Sequence, residues 1–388
     1  MPWKSVDLMS LRLDFVTLAA APEANVRELC RRFHLSSRTA YKWMDRFAQG
    51  GATALVDRSR RPLGQPRLTG RFMTAQVLKM RRAHPAWGGL KIRARLLHLG
   101  HVGVPAASTI TEILRRYDLL DPAMCAERRP FKRFVHAAPN DLWQLDFKGH
   151  FALKKGRCHP LTAVDDHSRY ALLVEPCANE QGSTVQAHLR QVFEHCGLPW
   201  RILSDNGAPW GCAGRADAYT TLGVWLMRLG VQLIHGRPVH PQTQGKEERF
   251  NRTLKAELLC RQDWRDLEQC QRAFAQWRAV YNHERPHQAI GLKTPAQLYS
   301  PSPRALPTQL PAIEYSPGDI IKKVKSKGEI TYANQFYYIG KAFSGLPVAL
   351  RPTAQDGLWD IYFCQQKIGR IDQKQKAPSK WIYQSIQP

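Results

Sequence analysis

The sequence predicts a multidomain chain: all-α modules at the front, a mixed α/β domain at the centre and a small β-rich domain at the end. Three observations carry that reading. Length is the first, because 388 residues exceed what a single domain of roughly 100–200 residues holds. Hydrophobic period is the second: apolar residues recur at helical spacing between Val26 and Tyr117, alternate at strand spacing from Leu142, and fall into short strand-like runs after Thr331. Charge is the third. Residues 1–135 carry 25 Lys and Arg against 10 Asp and Glu, residues 136–300 carry 20 against 16, and residues 301–388 carry 12 against 6. A strongly basic front thus precedes a centre that keeps its own carboxylates.

With 43% hydrophobic and 23% charged residues the chain is globular, and its net charge of +25 favours a polyanionic partner. Nine cysteines, without a CxxC pair, read as reduced cytosolic thiols. No run approaches the ~18–20 uninterrupted apolar residues of a membrane helix, and Met1-Pro2-Trp3-Lys4 opens no signal sequence. Membrane partners and export are therefore not expected.

The front is assigned to residues 1–65 and 66–122. In the first module Val26, Leu29, Cys30 and Phe33 form one helical set and Ala40, Trp43, Met44 and Phe47 a second, with Ser36 or Ser37 as N-cap between them. That is the pattern of a helix-turn-helix, whose second helix offers Arg38, Thr39 and Lys42 to the major groove. In the second module Leu90, Ile92 and Leu96 form a helix after His84-Pro85-Ala86-Trp87-Gly88-Gly89. Ile110, Ile113, Leu114 and Tyr117 form another, with Thr109 and Glu112 at capping-box spacing. Arg58, Arg60, Arg61, Lys91 and Arg93 are further DNA-binding candidates in this basic segment. Cys30 and His34 fit buried helix positions, and no zinc site is expected. Residues 123–138, with Arg128, Arg129, Lys132 and Arg133, form a basic linker.

The central domain is assigned to residues 139–300. Trp143, Leu145 and Phe147 alternate with Gln144, Asp146 and Lys148, which makes a strand with Asp146 on one face. Strands follow at 161–164 and 170–175, a helix at 184–196, and a strand that ends at Asp205-Asn206-Gly207. Another strand at 231–234 leads to a loop from His240 and then a helix, on which Glu248, Asn251, Arg252 and Lys255 stand at i, i+3, i+4 and i+7. This order indicates a mixed α/β sheet. Should Asp146, Asp205 and Glu248 converge, three bare carboxylates would repel by about 4 kcal/mol per close pair at an effective dielectric near 20. Convergence therefore implies hard divalent cations, the usual device for attack at a phosphodiester. Asp165 and Asp166 are rival acids that read mainly as hairpin-turn residues. His240 and His287 read as structural or DNA-contacting.

Leu145-Asp146-Phe147, Ser204-Asp205-Asn206-Gly207, the run from His240 to Asn251, and Tyr281-Asn282-His283-Glu284-Arg285-Pro286-His287-Gln288 together resemble the integrase core of DDE transposases and retroviral integrases. The front end, with Arg58-Ser59-Arg60-Arg61-Pro62 and Trp87-Gly88-Gly89, resembles bacterial insertion-sequence transposases of the IS481 type. The resemblance covers roughly residues 5–300 and implies a ribonuclease-H-like core, two Mg²⁺ or Mn²⁺ ions, and transfer of DNA 3′ ends into target DNA. It makes Asp146 the first acid, Asp205 the second and Glu248 the third, because the family places that acid three residues after the glycine, here Gly245, and three before the asparagine, here Asn251. The adjacent Glu247 stays open as an alternative. Arg252 and Lys255 fall where the family contacts DNA. An insertion around residues 211–219 lengthens the interval between second and third acids relative to retroviral integrases, and the amino-terminal zinc motif of those enzymes is missing.

Pro301, Pro303, Pro307 and Pro311 make residues 301–314 a linker. Short β-rich runs at 331–339, 348–351, 359–363 and 367–371 predict a small β-barrel over 315–388. The expected function is that of a DNA transposase, cytoplasmic and nucleoid-associated in a bacterium, working as a homo-oligomer assembled on its element ends and target DNA. The rival functions are a transposase-derived non-catalytic regulator and a simple metal-dependent nuclease.

Overall fold

The computed structural model describes residues 7–58, 68–120, 136–211, 219–235, 245–261 and 263–374. Arg60, Arg61, most of the expected basic linker, most of the insertion after Gly211 and the stretch 240–244 lie outside the described residues. The chain forms two compact units, Met1–Leu68 and Thr69–Pro388.

In the first unit, α1 (Leu8–Ala19), α2 (Val26–Arg32) and α3 (Ser37–Gly50) close on a core of Phe15, Val16, Cys30, Ala40, Trp43 and Leu55. The two helices expected from the sequence are α2 and α3. Asn25 caps α2 by accepting from the Glu28 N–H at 3.1 Å, and Ser36 caps α3 by accepting from Thr39 N–H at 3.3 Å. Helix α1 carries no such signal, because apolar residues surround it and leave no clean period: Leu8, Leu11 and Leu18 are exposed while Phe15 and Val16 are buried.

The second unit starts with α4 (Arg71–Ala83), α5 (Gly89–His98) and α6 (Ala107–Arg116), packed around Val77, Trp87, Ile92, Leu96, Ile110 and Leu114. A Cβ on Gly89 would lie 2.3 Å from the Ala107 carbonyl oxygen, so glycine is what lets α5 and α6 approach. The expected Thr109–Glu112 capping box does not form. Helix α6 starts three residues earlier with Ala106 as N-cap, which puts Thr109 inside its first turn, and Glu112 pairs with Arg115 instead. Arg95 reaches Glu284 of the central domain at 2.8 Å.

The central sheet runs β4 (Ala171–Cys177), β3 (Arg157–Asp165), β1 (Leu142–Phe147), β5 (Arg201–Ser204), β6 (Gln232–His235), and β2 (Phe151–Ala152) pairs with the start of β3. The first three pair antiparallel and the last three parallel. Helices α7 (Gly182–Cys196) and α8 (Thr221–Arg228) cover one face, burying Leu189, Phe193, Trp225 and Leu226 against Trp143, Leu145, Leu161 and Ile202. Helices α9 (Gly245–Glu257) and α10 (Leu267–His283) cover the other, burying Phe250, Leu254, Phe274 and Trp277 against Cys158, Val164 and Val174. The Tyr281–Gln288 motif is framework. Asn282 accepts the Ala171 N–H at 2.8 Å and donates to its carbonyl at 3.0 Å, while Arg285 pairs with Glu257 at 2.9 Å, both side chains buried. The far end of α9 is thereby fixed to α10.

The proline-rich stretch expected as a free linker lies against the core. Ser302 N–H donates to the Cys196 carbonyl at 2.8 Å, and the Arg304 guanidinium donates to the Leu229 and Gly230 carbonyls while stacking 4.2 Å over Trp200. Proline forbids helix there, and neighbouring residues supply the hydrogen bonds.

Among the described residues the expected barrel does not close. Strands β7 (Ile320–Lys323), β10 (Pro347–Pro352), β11 (Leu358–Phe363) and β12 (Gln366–Asp372) make an antiparallel sheet in the order β12-β11-β10-β7. The run expected over 331–339 is instead a hairpin, β8 (Glu329–Tyr332) and β9 (Gln335–Tyr338), paired with each other. Ala333 and Asn334, both at positive φ, turn the chain back on itself, and the two strands form a sheet of their own. This domain buries Ile330, Phe343, Val348 and Phe363, and it seats Val224 and Met227 of α8 in the same cluster.

Candidate active site

Strand period puts the first two acids on one face. In β1, Trp143 and Leu145 point to the α7–α8 layer, so Gln144 and Asp146 point to the α9 layer. Beside it, Ile202 of β5 joins the same α7–α8 cluster, and the chain leaving Ser204 delivers Asp205 next to Asp146. Asn251 of α9 donates to Asp146 Oδ2 at 3.2 Å, and the Gly207 N–H donates to Asp205 Oδ1 at 3.2 Å. His235 Nδ1–H donates to the Asp205 carbonyl at 2.9 Å, tying β6 to the end of β5.

Helical phase separates the two first-turn glutamates of α9. Phe250 and Leu254 face the core, so the buried stripe of α9 is Glu247, Phe250, Asn251 and Leu254. Glu248 is exposed, with Arg252 and Lys255 one and two turns further along the same face. The face expected from the sequence is therefore split: Asn251 turns inward and Glu248 does not. Glu247, only 4% exposed, is the glutamate that interacts with Asp146 and Asp205. The Thr162 hydroxyl of β3 also faces Glu247 and donates to the Asp146 carbonyl at 3.2 Å.

Electrostatics follow from that crowding. Burial, and then the neighbouring Asp205 charge, raise the Asp146 carboxyl to about 6. Burial, followed by Asp146 and Asp205, raises Glu247 well above the ordinary glutamate value. Two buried oxygens at the site, Glu247 Oε1 and Asn251 Oδ1, have no hydrogen-bond partner among the described residues. An all-oxygen donor set with unpaired acceptors suits a hard divalent cation. Among the described residues no three acidic, His or Cys side chains stand close enough together to hold a metal as they are.

The other expected site residues are placed as follows. Asp165 ends β3 and Asp166 opens the turn after it, both buried: Asp165 accepts from the Asn140 N–H at 2.8 Å and from the Ser168 N–H and hydroxyl at 2.7 and 2.6 Å. His287 is buried beneath Tyr281, and burial and Arg285 hold it well below the usual histidine range, so it stays neutral framework. Arg38, Lys42 and Arg58 are exposed, and Lys42 lies over Trp43 at 4.8 Å. Thr39 is half-buried and its hydroxyl is 2.9 Å from that of Ser36. Lys91 and Arg93 are half-buried on α5. Lys148, just past the end of β1 and beside Asp146, is read from the sequence only as a polar strand position, although its place two residues after the acid was a signal.

Comparison with known proteins agrees with this architecture along the chain. Residues 136–241 and 229–295 match the family described as Integrase core domain, and residues 319–379 match the C-terminal domain of IS481 family transposases. Residues 11–62 match a helix-turn-helix domain, and residues 39–114 a homeodomain-like domain. An uncharacterized 39.2 kDa protein of insertion element IS476 from Xanthomonas euvesicatoria is 30% identical over 43% of this chain and 46% of its own length. A 31.7 kDa protein of insertion element IS407 from Burkholderia multivorans is 27% identical over 51% of this chain and 72% of its own. The chain thus spans about half the length of the Xanthomonas relative. The Pro-Pol polyprotein of simian foamy virus type 3 is 31% identical over 35% of this chain and 11% of its own length. Among solved structures, a simian T-cell lymphotropic virus intasome chain aligns with a TM-score of 0.38 at 20% identity over 74% of this chain and 91% of its own. The HTLV-2 integrase catalytic core domain in complex with magnesium aligns at 0.32 and 20% identity, over 42% of this chain and 97% of its own. The chain carries helix-turn-helix domains, an integrase core and an IS481-type transposase C-terminal domain.

Proposed function

We propose that this chain, similar to insertion-sequence transposases with an integrase core, is a DNA transposase that binds its element's ends through the front helices and cuts and joins DNA 3′ ends at one acidic site. The observation that supports this most is the electrostatic interaction among Asp146, Asp205 and the buried first-turn Glu247 of α9 on one face of the sheet. Glu247 is the third acid in this reading, in place of Glu248, because the phase set by Phe250 and Leu254 turns it to the aspartates. Asp146, Asp205 and Glu247 would hold two divalent cations, Mg²⁺ or Mn²⁺. Such ions supply an activated attacking oxygen and a stabilised leaving oxygen at a phosphodiester.

The protein's own contribution is placement. Asp146 sits on a central strand with Asn251 fixing Oδ2, and the Gly207 N–H orients the Asp205 carboxylate. Lys148 beside the acids, with Arg252 and Lys255 exposed along α9, presents positive charge to a phosphate backbone. This reading assigns no proton transfer to His287, which is buried framework, or to His235, which holds a backbone carbonyl. Two element ends must be held at once, so the working form is a homo-oligomer assembled on DNA.

The test incubates wild type, Asp205→Asn, Glu247→Gln and Glu248→Gln with Mg²⁺, the native flanking DNA and a target plasmid, and sequences joined ends. Wild type and Glu248→Gln join, the other two do not, and all four bind the ends. Joining by Glu247→Gln but not Glu248→Gln moves the third acid to Glu248 and leaves the transposase reading intact. End binding without joining by wild type replaces that reading with a regulator; cutting without joining replaces it with a nuclease.

A further inference from the structure

The second acid of the Asp165-Asp166 pair has no part in the site described above, yet it is built into it. Asp166 lies where β3 turns into β4, with its side chain 1% exposed. Its Oδ1 accepts from Gln144 Nε2 at 2.8 Å; its Oδ2 accepts from the His136 N–H at 3.0 Å and from Lys246 Nζ at 2.5 Å. Arg169 donates to its main-chain carbonyl and closes the turn. Three donors fill three of the roughly four lone-pair positions of this buried carboxylate, and Lys246 balances its charge, which makes Asp166 a poor rival ligand.

The two ends of this network are what matter. Gln144 precedes Asp146 by two residues and shares its strand face; Lys246 immediately precedes Glu247 in the first turn of α9. The far end of α9 is held by Glu257 and Arg285, whereas its first turn brings Glu247 against the like charges of Asp146 and Asp205, beside the Thr162 hydroxyl, and Lys246 adds an attractive contact there. We propose that Lys246 and Asp166 form a positioning ion pair that fixes the first turn of α9 at the distance from β1 the third acid needs, so that cations meet a preset carboxylate. This rests on the transposase reading above. Neither residue touches the reacting atoms. A buried pair suits the task, because breaking it leaves an uncompensated charge, which makes the held geometry the favoured one.

The test measures Mg²⁺ as a thermal-unfolding shift and as the half-saturating concentration for end joining, in wild type, Lys246→Ala, Lys246→Arg, Asp166→Asn and the double variant Asp166→Asn/Lys246→Ala. The half-saturating concentration rises about tenfold or more in Lys246→Ala and Asp166→Asn, the Mg²⁺-induced shift shrinks in parallel, and metal-free end binding does not change. Lys246→Arg restores most of the effect, and the double variant loses no more than either single one. If Lys246→Ala lowers the unfolding temperature but keeps the wild-type Mg²⁺ midpoint, the pair is merely structural and the proposal fails. Should Lys246→Ala not fold, the Arg and Asn variants decide by the same midpoint. A wild type with no Mg²⁺ response in either readout overturns the underlying reading as well, so the two failures are distinguishable.

Discussion

Replacing Asp146 by asparagine should make the metal-free protein more stable at neutral pH, and the structure sets the size. The Asp146 carboxyl is raised to about 6 by burial and by Asp205, against an ordinary aspartate near 3.9 in the unfolded chain. At pH 4 and below the carboxyl is neutral when folded, so the acid and the amide differ little. As pH rises through 6 the folded protein must ionise a group that the unfolded protein ionises more readily, and the wild type loses stability that the variant keeps. The proton affinities correspond to about 3 kcal/mol as an upper bound, reduced by whatever water reaches the partly exposed carboxyl. For a unit of this size that is on the order of 5 °C in the midpoint of thermal unfolding. The amide oxygen of the replacement side chain can still accept from Asn251 Nδ2, as the carboxylate does, so the comparison isolates charge. Calorimetric unfolding of both full-length proteins in EDTA, from pH 4 to pH 8, reads the difference directly. The gain should be absent at pH 4, grow between 4 and 6 and level off above. Mg²⁺ at pH 8 should raise the wild-type midpoint and leave that of Asp146→Asn nearly unmoved. A variant no more stable than wild type at pH 8, or a difference independent of pH, refutes the account of crowded carboxylates.

Two further outcomes test the front of the chain. Gly89→Ala places a methyl 2.3 Å from the Ala107 carbonyl oxygen and 2.5 Å from Thr111 Oγ1, so it should lower stability by about 1–3 kcal/mol through forced separation of α5 and α6; Gly88→Ala, with nothing within 4 Å of the added carbon, serves as the neutral control in the same unfolding assay. Removing both exposed cations of α3 in Arg38→Ala/Lys42→Ala should reduce the slope of log K against log salt for end binding by about 2, and an unchanged slope removes α3 from the DNA interface.

How much of this was legible in the sequence depends on whether a residue's position is fixed by period or by phase. Strand period is two, so once Trp143 and Leu145 are seen to be core, Asp146 has only one face left to occupy, and its place beside α9 followed from the letters. A helix turns by about 100° per residue, so neighbours such as Glu247 and Glu248 differ by which of them falls inside the stripe set by Phe250 and Leu254. The motif register compares spacing from Gly245 and Asn251 and points to Glu248, whereas the apolar residues three and seven positions along from Glu247 mark the buried stripe, so spacing and phase answer different questions. The barrel failed for a related reason: alternation marks strands but does not say which edges pair, and the left-handed turn at Ala333 and Asn334 lacks the glycine that usually announces a tight hairpin. Helix α1 left no period at all. Asp166 shows the opposite case, in which a carboxylate at the right distance in sequence looks like a ligand until its three donors are counted. Chemistry-bearing residue types are readable one at a time, whereas their assignment to ion, backbone or partner side chain is a property of saturation, which only the packed arrangement of Gln144, His136 and Lys246 around that carboxylate decides.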